Sequence, residues 1–165
     1  MRRIFPIVLA SVLSLALGAQ VALADSPHFL FANASVGATT GVLSVSFKEV
    51  GLGNTATTEN VTLHVDTATA TYQCFNNGGK HPKAGNKETV STSLTTTGTF
   101  PVSNGQTTGT ISTGPPDAGG FSCPSGQTLF LIDVTYSGIS VTGSAGDSLG
   151  ATPDPISAGP FMIEQ

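Results

Sequence analysis

The stretch VTLHVDTATATYQCF, running from Val61 to Phe75, decides the fold. Val61, Leu63 and Val65 alternate with Thr62, His64 and Asp66, which is the two-residue period of a strand with one buried and one wet face. Beyond Asp66 the parity changes, so that Ala68, Ala70, Tyr72 and Cys74 share a face. With a side-chain period of two, such a slip requires a β-bulge or a break into two strands.

The same period recurs on both sides of this stretch. VLSVSFKEV places Leu43, Val45 and Phe47 on one face and Ser44, Ser46 and Lys48 on the other. GLGNTATTEN then reads as a turn-rich connection. Downstream, ETVSTSL offers Val90, Thr92 and Leu94 as an inward set. GTFPV at 98–102 carries Pro101 and suits a short edge strand or a strand end. TTGTIS at 107–112 is a further short strand, and TGPPDAGGFSCPSG at 113–126 is a long loop. TLFLIDVTY at 128–136 is apolar on both faces through Ile132, which predicts a central strand, and GISVTG at 138–143 continues or pairs with it. DSLGATPDPISAGPFMIEQ reads as loop, with a last short strand near Phe161. No window shows a helical apolar period. Seven to nine short strands separated by turns predict an all-β domain, a single antiparallel β-sandwich of immunoglobulin-like size, with a β-barrel as the alternative.

The segment before the first strand has a different character. MRRIFPIVLASVLSLALGAQVALADSP has two arginines, an apolar run broken by Gly18 and Gln20, and the small-residue site Ala22-Leu23-Ala24. These are the parts of a secretory signal peptide over residues 1–24, with a single domain over 25–165 and no membrane span after cleavage. Cleavage would leave 141 of the 165 residues, enough for one core. It would also leave four lysines and no arginine against ten acids, a formal charge of −6. That balance excludes the basic footprint of a nucleic-acid binder and the polybasic patch of a lipid binder. In an exported chain the even pair Cys74 and Cys123 reads as one disulfide rather than two free thiols.

Between Cys74 and Val90 the sequence FNNGGKHPKAGNKET cannot continue a strand throughout, because Asn and Gly favour turns and Pro82 removes a ladder donor. The expected unit is a strand, a loop of about ten residues and a strand, a loop longer than a hairpin usually needs. The disulfide should fasten the base of this loop to the loop around Cys123. Should the chain bind a partner through a loop, Asn76, Asn77, Lys80, His81 and Lys83 are the candidates, since recognition commonly sits on loops held by a rigid scaffold. The pattern formed by Tyr72, Cys74, Asn76, Gly78, Gly79, Pro82, Ala84, Asn86 and Lys87 resembles one found in short, secreted, β-rich bacterial proteins of unknown function. That resemblance implies a secreted single domain with one disulfide, and brings no activity or ligand with it.

No constellation carries clear chemistry. His64 and Asp66, two apart on one strand face, could meet a cation with His28 or His81, but His-x-Asp is equally a solvated polar face. Asp147 and Asp154 lie in a Gly/Pro-rich segment that could offer oxygens to calcium, yet no D-x-D-x-D-G loop occurs. There is no G-x-S-x-G elbow and no H-E-x-x-H. Asp133, inside FLIDV, is the acid expected to be partly buried, where a raised pKa can mark a site or a hydrogen bond can merely satisfy it. The Thr-rich strands lack the strict repeat of an ice-binding lattice, and an absence of Trp with only two Tyr argues against a sugar-binding aromatic platform. No metal or cofactor is expected. The function these features favour is a secreted, non-catalytic interaction or envelope/matrix protein with an extracellular or cell-envelope partner. A small secreted hydrolase with a site assembled from distant loops, and a self-associating fibre subunit, are the alternatives.

Overall fold

A computed structural model describes residues 26–76 and 82–165, with the main chain alone described for 82–85. The segment assigned to the signal peptide lies outside the described residues. The described chain is all-β, in nine strands: β1 (His28–Val36), β2 (Leu43–Val50), β3 (Thr58–Asn76), β4 (Pro82–Pro101), β5 (Gln106–Thr113), β6 (Gln127–Thr142), β7 (Ser148–Gly150), β8 (Ile156–Ala158) and β9 (Ile163–Glu164). They form two antiparallel sheets. The smaller runs β1-β2-β5; the larger runs β4-β3-β6, and β7, β8 and β9 share the far edge of β6. The sheets pack face to face without closing into a barrel.

The core is what the alternation required. Leu43, Val45 and Phe47 of β2, with Ala32, Ala34 and Ile111, face Val61, Leu63, Val65, Ala68, Ala70, Val134, Ile139 and Val141 of the larger sheet. Phe47 stands edge-on to Phe29 and Phe100, with centroids 5.9 and 4.9 Å away, a favoured aromatic geometry. Tyr136 is buried among these groups and donates its hydroxyl to the Gly41 carbonyl at 2.7 Å, fastening the β1–β2 turn to the larger sheet.

The parity change at Asp66 is a bulge within one continuous strand. Val65 pairs with Leu94 and Ala68 with Thr92, so Asp66 and Thr67 together oppose the single Ser93. Across the other edge β6 changes parity in step: Val65 faces Ile139 and Thr67 faces Ser137 without a register shift. The shared kink is held by Gly138, whose φ of +65° suits glycine and whose missing side chain leaves room for the Asp66 carboxylate. Asp154 completes it, accepting from Gly138 N and Ile139 N at 3.1 and 3.0 Å.

Four expectations need correction. The loop of about ten residues is shorter: β4 begins at Pro82, which pairs with Phe75, so 82–86 belong to the strand. Proline is tolerated there because it opens an edge strand. GTFPV is no separate strand but the end of β4, 20 residues long. The strands are not uniformly short, since β3, β4 and β6 have 19, 20 and 16 residues. The C-terminal segment is not loop with one strand. It lays three short strands along β6, and Thr152 exchanges hydrogen bonds with Ala32 and Ala34 of β1, tying one sheet to the other. The long loop 114–126 is irregular as expected; Ala118 and Phe121 pack against the core, and Pro116 and Cys123 are tied to Tyr72 and Cys74 of β3.

Candidate functional site

Three places in the fold concentrate polar chemistry. The first is the disulfide end. Cys74, the buried residue third from the end of β3, is bonded to Cys123 with a Cα–Cα distance of 5.6 Å. Tyr72, two positions earlier on the same inward parity, donates its hydroxyl to the Pro116 carbonyl. Burial, and then the Asp117 charge, push the Tyr72 phenol up from its ordinary range, so it remains a donor. Asn86 Nδ2 donates to Gln127 Oε1 at 2.8 Å across the same end. Of the candidate loop residues, Asn76 is the exposed last residue of β3. Lys83 lies in β4, where the main chain alone is described. Asn77, Lys80 and His81 fall outside the described residues.

The second is the outer face of the larger sheet with its β4 edge. Thr89, Ser91, Ser93, Thr95, Thr97 and Thr99 follow one another on the outer parity of β4, all exposed. They meet a polar row on β3: Thr62 Oγ1 lies 2.9 Å from Thr97 Oγ1, Thr69 Oγ1 is 2.8 Å from Ser91 Oγ, and Thr99 Oγ1 donates to Asn60 Oδ1 at 2.7 Å. His64 Nδ1 joins Thr95 Oγ1 at 3.3 Å. Further along the sheet Thr135 meets Ser157 at 2.9 Å and Thr142 meets Ser148 at 3.1 Å. Such cross-strand hydroxyl pairs are a regular means of stabilising a sheet surface. Among the described residues β4 has a strand neighbour on one side alone, β3.

The third was not anticipated. Glu49 continues the alternation of Leu43, Val45 and Phe47 and so points into the sandwich, where it is 0 % exposed. Glu59 lies on the inward parity of Val61 and Leu63, 6 % exposed. The facing sheets thus each bring a carboxylate to the same end, and Asp147 reaches the same place from the β6–β7 turn. Glu59 Oε1 accepts from Ser144 N at 2.5 Å. The four carboxylate oxygens of Glu49 and Asp147 are sealed from solvent, and no described N–H or O–H outside the pair donates to them. Burial first, then the charges of Asp147 and Glu59 and a hydrogen bond with Asp147, push the Glu49 carboxyl up to about 7. Asp133, the acid expected to be partly buried, is half-buried. The signal that would have found Glu49 was present: extending the parity of VLSVSFKEV by one more step places it inward.

No protein-family model, curated protein or solved structure matches the chain.

Among the described residues, the remaining groups expected to converge do not. His28 Nδ1 lies at 2.9 Å from the Ser26 carbonyl on the smaller sheet, far in topology from His64 on β3, and Asp66 is taken up by the bulge. Asp154, paired in sequence terms with Asp147, instead caps the β6 kink. A shallow depression of about 250 Å3 is lined by Asp133, Val134, Thr135, Ser157, Ala158 and Gly159, and its two hydroxyls bond to each other. No helix among the described residues is long and apolar enough to cross a membrane.

Proposed function

We propose that the protein is a non-catalytic interaction module acting outside the cell, with the outer edge and hydroxyl face of β4 as its contact surface. One observation carries the reading. From Thr89 to Phe100 this edge strand holds no charged residue, is rich in β-branched side chains, and has no strand neighbour beyond it among the described residues. Sheet edges are ordinarily blunted by charge, proline, bulges or brevity, because a long bare edge recruits another strand. Here proline and charge are confined to the two ends of β4, and the middle is left open. Strand addition supplies affinity through main-chain hydrogen bonds, and the row of hydroxyls beside the edge gives the added strand a polar floor. The Cys74–Cys123 disulfide, a bond that forms and persists in oxidising compartments, supports the reading of a contact at or beyond the cell surface.

The same edge favours a second reading, the self-associating subunit, in which the added strand comes from another copy. One experiment addresses both. The mature protein and its Ser93→Lys/Thr95→Lys variant are immobilised and exposed to the producer's envelope and culture fluid, and their masses are followed against concentration by light scattering. Lysines on the edge should lower partner capture at least tenfold and leave the melting temperature within about 2 °C, since exposed substitutions cost little. Growth in mass with concentration that the variant abolishes assigns the edge to self-association. Equal capture and equal mass for both proteins would reject β4 as the surface.

A further inference from the structure

We propose that Glu49 and Asp147 bind a divalent cation of calcium's chemistry between the two sheets. The two carboxylates aim at one point. A methyl group placed on Gly143 would stand 2.7 Å from Asp147 Oδ1 and 2.8 Å from Glu49 Oε1, so glycine leaves that space open. All four oxygens are withdrawn from solvent and receive no donor from outside the pair. Glu59, the third acid nearby, is engaged by the Ser144 amide. Lys48, the neighbour of Glu49 in sequence, lies on the opposite face of β2.

Buried carboxylates facing each other without donors are costly, and each must be neutralised or matched. A proton shared by the pair satisfies one oxygen of each and leaves the other two bare. A cation can take oxygens from both carboxylates at once. The donor set is oxygen alone, with neither sulfur nor imidazole, which selects a hard cation over zinc. Among the described residues no three acidic, His or Cys side chains converge as metal ligands, so the protein provides a pair rather than a cage. Calcium accepts such a site because it takes 6–8 oxygens in flexible geometry, with water filling the rest. The four oxygens are sealed, so that water enters only as the adjoining exposed turn Ser144–Gly146 gives way. Magnesium, which needs near-ideal octahedral ligands, is disfavoured. With two carboxylates the affinity belongs to the weak extracellular range, on the order of 10⁻⁴–10⁻³ M.

The test uses mature protein dialysed against chelator at pH 7.5 and titrated with CaCl2 or MgCl2, or with NaCl at matched ionic strength. Melting is followed in parallel with calorimetric binding. Calcium at ten times its Kd should raise the melting temperature by about 3–5 °C. Magnesium should do less, NaCl should do nothing beyond screening, and calorimetry should give one calcium per chain. Glu49→Gln and Asp147→Asn should each abolish the calcium response while melting no lower than the chelated parent. Gly143→Ala, which keeps both charges and fills the space between them, should weaken binding at least tenfold. If the charge variants fail to fold, Gly143→Ala and the calorimetric stoichiometry still decide. A melting temperature indifferent to 10 mM calcium, a response equal to that of NaCl, or an undiminished response in the variants would overturn the proposal; the first of these would leave a shared proton as the neutralising partner.

Discussion

Glu49 occupies a position that its strand reserves for an apolar side chain. The alternation from Leu43 was legible in the sequence, but it was followed only to the last apolar member, and the charge at the next inward step hid the continuation. Glu59 was hidden in the same way, ahead of Val61. A strand's period does not stop at a polar residue; the burial of Glu49 follows from geometry that Leu43, Val45 and Phe47 already impose. The pH dependence follows too. In chelator the folded carboxyl is raised to about 7 from an ordinary 4.5, mainly by burial. The folded state therefore holds a proton that the unfolded chain releases first. Stability contributed at this group is intact below about pH 4.5, falls as pH rises to about 7, and is flat above it, with a total loss of at most about 3 kcal/mol. Melting curves from pH 4 to 8 should show this fall in the parent and not in Glu49→Gln. Parallel curves for the two proteins would show that Glu49 does not titrate in this window.

At the scale of the element, strands with one apolar face were readable and the strand without one was not. β2, β3 and β6 alternate or run apolar, and the parity change at Asp66 announced a bulge that the structure has. The sequence divides β4 into ETVSTSL and GTFPV and leaves 82–86 in the loop, because prolines and a Thr/Ser pattern polar on nearly every position give no period to follow; its continuity comes from pairing with β3, which is information from another part of the chain. The matching kink in β6 has no period of its own either, since it depends on Asp66 opposite and on Asp154 from the segment after β7. Gly138 is the point on which these meet. Replacing it by alanine forces a side chain into a φ of +65° and against the Asp66 carboxylate. Gly138→Ala should cost roughly 1–3 kcal/mol, since both the strained backbone and the displaced carboxylate oppose it. Urea denaturation should show a lower midpoint with an unchanged slope. An unaltered midpoint would mean that the kink is not a fixed feature of the folded chain.

The molecule as a whole is held by links between segments far apart in the chain. Cys74 and Cys123 are 49 positions apart, so their bridge closes a loop of about 50 residues, for which chain entropy gives roughly 4 kcal/mol as an upper value. Because loop 114–126 packs Ala118 and Phe121 against the core and is fastened to β3 by this bond, Cys74→Ser should also loosen that packing. A fall in melting temperature of roughly 10 °C is expected, and a change of a degree or less would show that the bridge does not support the fold. The even cysteine count made this bond legible. The C-terminal lacing was not, because strands of two or three residues are too short to carry a period. That lacing sets an order in time. Among the described residues the far edge of β6, beside its most apolar run, is covered by 148–165 alone, and the same residues join β6 to β1 through Thr152. A chain emerging from its N-terminus can pair β1 with β2 and β3 with β4 early. It cannot finish the sandwich until residues 148–165 arrive, and until then the open side of β6 is the part of the molecule most in need of shielding.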